Sequence, residues 1–146
     1  MSDLYNLAYI SESTLKGDPE RIQHQIEDIL AAAQRNNPAM GITGALLYSG
    51  GYFCQVIEGP MEALEDLFET IQLDDRHKAV TVLHFEPTDE RGFSEWAMAL
   101  AGIDDAMRPD VAGIRASKDE IDTHEAGQNM VDMLEQLVVR HQSLVD

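Results

Sequence analysis

The stretch RNNPAMGITGALLYSGGYFCQVIEGP, residues Arg35 to Pro60, decides the fold of this chain. It predicts a helix end, a turn, two paired strands and the start of a second helix. The GG pair fits a tight hairpin turn, because glycine accepts positive φ. Gln55 lies mid-strand among apolar neighbours, where an unpaired amide would cost about 1–3 kcal/mol. Together with Asn36 and Asn37, it indicates a pocket for a flat, hydrogen-bonding ligand.

Length and composition indicate a single acidic domain. The 146 residues are 44% hydrophobic, which suits a single domain with a full core. The net charge of −17 disfavours nucleic acid and anionic membrane surfaces as partners. The lone Cys54 excludes an intramolecular disulfide and a thiolate metal cluster. No signal-peptide pattern and no apolar run of about 20 residues is present, so we expect a cytoplasmic protein.

The first two elements are predicted from local signals. Leu4 to Ile10 is apolar and aromatic and predicts a strand, followed by a polar loop. Asp18 caps the next helix, with proline at its first position, where a missing N–H costs nothing. We expect this helix to end near Asn36, because Asn37 precedes a proline and is displaced from the helical region.

The remaining elements of the domain alternate in the same way. Strands are predicted at Gly41 to Tyr48, Tyr52 to Glu58, Ala79 to Phe85 and Trp96 to Leu100, with a helix opening at Gly59-Pro60. The order βαββαββ favours a ferredoxin-like α+β sandwich. We expect a five-stranded mixed sheet with two helices on one face.

The tail from Ala101 has a different pattern. Ser117 and Glu120 resemble a capping box, and an apolar stripe at helical spacing follows. The stripe consists of Met130, Met133, Leu134, Leu137, Val138, His141 and Leu144. It either packs on the second face of its own sheet or binds a partner, and both hold if it detaches on a signal. We therefore divide the chain into a domain at 1–100 and a C-terminal helical extension at 101–146.

Most catalytic and metal motifs are absent from the sequence. It has no Walker loop, GxGxxG or HExxH, and its histidines do not cluster, so neither a metal site nor an enzyme is expected. Tyr9, Gln55, Trp96 and Met98 remain. Each alone is typical of a core or rim residue, and together they fit around one planar ring. Trp96 and Met98 are two apart and share a strand face.

Four motifs in order resemble the BLUF family, blue-light sensors that use flavin. They are LAYIS at Leu7 to Ser11, NNPAMGITGALLYSGGYFCQVIEGP from Asn36, LFETIQLDDRH ending at His77, and RGFSEWAM at Arg91 to Met98. The resemblance covers about the first hundred residues. It is similar to the short, stand-alone type of member, in which no cyclase or phosphodiesterase segment follows in the chain.

The resemblance implies non-covalent FAD, or FMN, held between the two helices. By position, Tyr9 matches the photoactive tyrosine and Gln55 the glutamine that contacts the flavin ring. The other implied cofactor-binding residues are Asn37, its neighbour Asn36, and Asp74, Arg76 and His77 of a DxRH element. Trp96 and Met98 match the switch residues of the last strand, and which of them faces the flavin in the dark is left open.

The implied function is that of a blue-light photoreceptor. An electron and a proton leave Tyr9, the proton by way of Gln55, and the hydrogen-bond change passes through the fifth strand to the C-terminal helices. The expected partners are a downstream effector protein and a second copy of the chain. The alternative is a ferredoxin-like small-molecule-binding or enzymatic domain without photochemistry. A purely structural interaction module, resting on the tail helix, is a third interpretation.

Overall fold

The structure is a computed structural model that describes residues 4–49, 51–93, 99–103 and 128–136. Its elements, in chain order, are β1 (Leu4–Ser13), α1 (Pro19–Met40), β2 (Thr43–Ser49), β3 (Tyr52–Pro60), α2 (Met61–Gln72), β4 (His77–Pro87) and β5 (Ala99–Ile103). The first six follow the predicted order. Four strands form an antiparallel sheet in the order β4-β1-β3-β2, and β5 pairs parallel to the outer edge of β2. The fold is α+β, as expected.

The register of the central strands fixes which side chains meet. Tyr9 of β1 lies directly opposite Gln55 of β3, and Gln55 lies opposite Leu46 of β2. Directly opposite residues of an antiparallel pair point to the same face. The three side chains therefore form a row across one face of the sheet.

Each face of the sheet has its own core. The face bearing Tyr9 packs against both helices through a buried cluster: Leu7, Tyr9, Ile26, Ile42, Leu46, Phe53, Ile57 and Leu64. The opposite face carries Ala8, Ile10, Ala45, Leu47, Cys54, Val56, Leu83, Phe93, Met130 and Leu134. The prediction of two helices on one face is confirmed, and Cys54 faces away from Gln55 as expected.

The predicted end of the first helix was wrong. Asp18 caps α1 as expected, with its carboxylate accepting from the Arg21 N–H, but the helix continues through Pro38 to Met40. Gly41, at φ 71°, ends it in the left-handed conformation, which glycine adopts without steric cost. The Gly41 N–H donates to the Pro38 carbonyl at 3.1 Å. This helix end keeps Asn37 within a helical turn, where its side chain is buried.

Three strands are longer than predicted. β1 continues past Ile10 to Ser13, β3 continues past Glu58 to Pro60, and β4 begins at His77 rather than at Ala79 and ends later than predicted, at Pro87. Ala79 has a positive φ of 53°, and the β1–β4 register shifts in this region. This irregularity interrupts the alternating pattern from which strands are predicted, which explains the late predicted start of β4.

The C-terminal part is described only in pieces. The predicted fifth strand, Trp96 to Leu100, overlaps β5 at its last two residues, and residues 94–98 lie outside the described part of the chain. Residues 128–136 are helical, and Met130 and Leu134 are buried against the second face of the sheet. Most of the segment 101–146 lies outside the described residues.

Candidate functional site

A cavity of about 190 Å³ lies between the two helices and the sheet. Seven of the predicted site residues line it: Tyr9, Asn36, Asn37, Gln55, Asp74, Arg76 and His77. Apolar side chains form much of its remaining wall: Ile29, Ala32, Ala33, Leu46, Phe53, Leu67 and Ile71. The predicted switch residues Trp96 and Met98 lie outside the described residues.

Tyr9 and Gln55 form a buried polar pair at the floor of the cavity. The Tyr9 hydroxyl donates a hydrogen bond to Gln55 Oε1. Burial, followed by the charges of Asp74 and Cys54, raises the pKa of Tyr9 well above its ordinary value. The phenol is therefore protonated at neutral pH, and its proton is already directed at the amide oxygen.

The last turns of α1 supply the amides of the cavity. Asn36 is exposed at the rim, whereas Asn37 is buried. Ala32 and Ala33 lie one turn earlier, so the surface below the amides is small and apolar. A flat ligand placed there would meet an apolar wall and a polar edge on the same helix.

Asp74 holds the Arg76 guanidinium in the loop after α2. Arg76 Nε donates to Asp74 Oδ1 and Oδ2 at 2.9 and 3.0 Å, and Nη2 donates to Oδ2 at 2.5 Å. The side-chain hydrogen bond with Arg76 lowers the pKa of Asp74, and the same bond raises the pKa of Arg76. A bidentate pair of this kind fixes the direction of the guanidinium, and here it does so at the cavity wall.

His77 is fixed by two hydrogen bonds at the end of β1. Its Nε2 lies 2.5 Å from the Ile71 carbonyl, which can only accept, so Nε2 carries a proton. In the neutral ring Nδ1 then accepts from the Ser11 hydroxyl at 2.8 Å. The ring centroid lies 6.2 Å from that of Tyr9 and 6.1 Å from that of Phe53. His77 thus packs edge-on against both aromatic rings.

Sequence reasoning missed three contributors to this region. Ser11 was placed in a loop, yet it belongs to β1 and orients His77. The centroid of the Phe68 ring lies 5.8 Å from that of Tyr9. The position of Phe68 on the apolar stripe of α2 was the sequence signal that could have identified it. Glu58 was regarded only as a strand end, although it is 1% exposed. An acid directly after Val56-Ile57 in a buried strand was the signal there.

Glu58 and Arg91 anchor the segment that precedes residues 94–98. Glu58 accepts hydrogen bonds from the backbone N–H groups of Gly92 at 2.6 Å and Phe93 at 2.9 Å. Arg91 Nη2 donates to the Gly41 carbonyl at 2.7 Å, at the end of the helix that carries the asparagines. This polar cluster therefore connects residues 91–93, which precede the predicted switch residues, to the helix end beside the cavity.

The donor set of the cavity fits a flavin ring. A flavin presents flat apolar faces and a polar edge, and the cavity offers apolar walls with amide, guanidinium and imidazole groups. Residues 4–99 match the family described as BLUF, sensors of blue-light using FAD. This chain belongs to the BLUF family of blue-light photoreceptors. The family's cofactor is FAD, and the matched region is a sensor module.

Curated relatives carry this sensor within larger proteins. The chain is 37% identical over 101 residues to photoactivated adenylate cyclase subunit beta of Euglena longa, covering 68% of this chain and 11% of the relative. It is 32% identical over 87 residues to the blue light- and temperature-regulated antirepressor BluF of Escherichia coli (strain K12), covering 60% of this chain and 22% of that protein. The chain thus spans about a tenth to a fifth of these relatives' length.

Two solved structures, one of them of the BLUF protein BlrB, resemble the chain over most of its length. BlrB in its dark state is 30% identical with a TM-score of 0.70, over 93% of this chain and 98% of BlrB. BlsA in its ground state is 29% identical with a TM-score of 0.70, over 93% and 88% of the two chains. Among the residues that the structure describes, none of the helices has the length and apolarity that a membrane span requires.

Proposed function

We propose that this BLUF protein is a signalling switch whose photoactive pair is Tyr9 and Gln55. The observation that carries the proposal is the hydrogen bond from the Tyr9 hydroxyl to Gln55 Oε1, inside a cavity with apolar walls and a polar edge. Residues 1–100 form the sensor in this proposal, and residues 101–146 form the output extension. The sensor itself has no enzymatic activity in this proposal and passes its signal to a downstream effector protein.

The cavity residues divide into two groups in the proposal. Asn36, Asn37 and Arg76 hold the polar edge of FAD or FMN, and Asp74 keeps the guanidinium in place. His77, whose two ring nitrogens are bonded to Ile71 and Ser11, contacts the flavin through its ring. The apolar wall accepts the flat face of the ring and excludes water from it. When bound, the flavin supplies absorption of blue light and an electron acceptor beside Tyr9.

In the proposal, Tyr9 donates the electron, and Gln55 accepts the Tyr9 proton. Loss of an electron makes a phenol strongly acidic, and its proton passes to the Gln55 Oε1 that already accepts its hydrogen bond. The amide would give up an Nε2 proton in turn to a bound flavin that has accepted the electron, and return of the electron and one proton would restore the phenol. An amide has one donor end and one acceptor end. Rotation or tautomerisation of the Gln55 amide therefore exchanges hydrogen bonds around the ring without moving the backbone.

The output leaves through the last strand of the sheet. In the proposal, Trp96 and Met98 exchange places and shift the C-terminal extension, whose described segment 128–136 packs on the sheet's second face. A second copy of the chain completes the oligomer. Met130 and Leu134, which are buried on that second face, support this route. The hydrogen bonds from the Gly92 and Phe93 N–H groups to Glu58, just before the predicted switch residues, support it as well. The proposal includes a cytoplasmic location, which imaging of a tagged protein would test.

The test is an absorbance spectrum of the purified protein before and after blue light. The native protein is expected to show flavin bands with a small reversible red shift. Tyr9→Phe removes the hydroxyl but keeps the ring, so flavin binding is retained and the long-lived shift is lost. Tyr48→Phe is the matched control. The Tyr48 ring centroid lies 5.2 Å from that of Phe53, but Tyr48 does not line the cavity, so this variant is expected to keep the red shift.

Gln55→Leu tests the second member of the pair. It is expected to bind flavin and to give the same spectrum in the dark and after light. A normal red shift in either Tyr9→Phe or Gln55→Leu would show that the pair is assigned wrongly. A colourless protein that takes up no added flavin would instead favour a ferredoxin-like binding domain without photochemistry.

A further inference from the structure

A second groove lies outside the flavin cavity, between α2 and the β4 edge of the sheet. It has a volume of about 420 Å³, and it is lined by Leu7, Glu65, Asp66, Phe68, Glu69, Gln72 and Phe85. Register places Phe85 opposite Leu7 and Val82 opposite Tyr9, so both β4 side chains point to the helical face. Phe85 is 39% exposed and Val82 is 38% exposed. The helical segment 128–136 packs on the other face and leaves this groove uncovered.

The charges around the groove have one sign. Its floor is formed by Leu7, Phe68 and Phe85, and its helical rim carries the exposed acids Glu65, Asp66 and Glu69. No lysine or arginine is among the described residues that line it. Apolar area rimmed by charge is typical of a protein contact surface, and three acids within about one helical turn attract a cationic partner.

Phe68 connects this groove to the photoactive pair. Its ring lines the groove and also packs on the Tyr9 ring, at a centroid distance of 5.8 Å. The Tyr9 hydroxyl in turn donates to Gln55. A change in the position of the Tyr9 ring therefore reaches the floor of the groove through a single side chain, at the sheet edge opposite β5.

We propose that this groove docks a basic, amphipathic segment of a partner protein. Apolar side chains of the segment lie over Phe68 and Phe85, and its lysines or arginines pair with Glu65, Asp66 and Glu69. Regulation of the contact by light rests on the proposed photoactive pair, whereas docking in the dark does not. The groove thus gives the photoreceptor a second contact surface besides the C-terminal extension.

The experiment uses the FAD-loaded full chain and a short fluorescein-labelled peptide that alternates lysine with leucine or phenylalanine. Anisotropy at physiological salt is expected to show saturable binding, and a peptide with glutamate in place of lysine is expected not to bind. Glu65→Lys/Glu69→Lys and Phe85→Thr should each raise the dissociation constant about tenfold or more. Retained FAD absorbance checks that each variant is folded.

Matched controls separate the groove from the overall charge and apolarity of the surface. Glu20→Lys/Glu27→Lys makes the same charge change at exposed positions of α1, and Leu73→Thr removes an 81% exposed apolar side chain outside the groove. Both controls are expected to bind like the native protein. Equal weakening in the control and groove variants would overturn the proposal, and so would a dimer in sedimentation that Phe85→Thr abolishes.

A light-dependent arm distinguishes this proposal from the one on which it rests. Blue light is expected to change the peptide's dissociation constant in the native protein and not in Tyr9→Phe. If no photoproduct forms but groove variants still lose peptide binding in the dark, the proposed photoactive pair is refuted and the proposed docking surface is supported. If the photoproduct forms and groove variants bind normally, the docking surface is wrong.

Discussion

Glu58→Ala is expected to destabilise the protein more than most surface changes. The Glu58 carboxylate is 1% exposed and accepts from the backbone N–H groups of Gly92 and Phe93 at 2.6 and 2.9 Å. It also accepts from the Thr43 hydroxyl at 3.1 Å and from the Asn6 amide at 3.5 Å. Truncation leaves two buried or half-buried backbone donors without their acceptor.

The magnitude follows from these contacts. Hydrogen bonds to a charged group contribute about 1.5–3 kcal/mol each, so the two backbone bonds alone account for about 3–6 kcal/mol. Removing a buried charge also recovers its desolvation cost, which favours the lower end of the range, about 3 kcal/mol. Glu58→Gln keeps one acceptor and the side-chain volume, so about half of that loss is expected.

Urea unfolding followed by circular dichroism measures the change directly. With an unchanged slope, the loss appears as a lower midpoint concentration. Glu90→Ala is the control, because it removes an exposed acid from the loop that contains Gly92 and Phe93. Its free energy of unfolding is expected to stay within about 0.5 kcal/mol of the native value. If Glu58→Ala also stayed within that margin, the cluster would not stabilise the fold as argued.

Three further predictions concern single groups. The lowered pKa of Asp74 stabilises the fold above about pH 3.9, the ordinary carboxyl value, and this stability is lost as pH falls through the folded value. Melting temperatures should therefore show Asp74→Asn weakened at pH 7, and its difference from the native protein should shrink as the pH is lowered below about 3.9. Burial raises the pKa of the Cys54 thiol to about 12, so iodoacetamide at pH 8 should label it only after unfolding, and rapid native labelling would contradict its burial. In Gly44→Ala the new Cβ would lie 2.2 Å from the Val56 carbonyl oxygen, so its urea midpoint should fall well below that of Gly51→Ala, which has φ 85° but open space; equal midpoints would refute the steric argument.

The strands of the domain were predictable because their apolar character is local. Tyr52 to Glu58 alternates between two buried faces, and β3 includes this whole range. The helix end was not predictable by the same reasoning. The restriction on a residue before proline predicted a stop at Asn36, whereas Gly41, with φ 71°, supplies the stop. The proline signal favoured a stop at Asn36 and the glycine signal a stop at Gly41. The later stop buries Asn37 and Ile42, which favours it.

Proximity within the site required knowledge of the register. Tyr9 and Gln55 are separated by 46 positions in the chain, and only the β1–β3 pairing places them opposite each other. A shift of one residue would point Gln55 to the other face. The resemblance to a family named both residues, but their direct hydrogen bond is a property of the pairing. Ser11 was missed for the same reason, because its partner His77 comes from β4.

The geometry around Gln55 limits how strong the signal can be. Its strand neighbours Cys54 and Val56 point into the core that contains Met130 and Leu134, so a rearranged amide reaches that face only through the backbone. Phe68, by contrast, contacts Tyr9 through ring packing on the same face. One or two exchanged hydrogen bonds are worth about 1–3 kcal/mol, whereas complete switching from 1:99 to 99:1 needs about 5.5 kcal/mol. If light acts on the proposed docking groove through Phe68, it is expected to shift the ratio of docked to released states by about one to two orders of magnitude rather than completely.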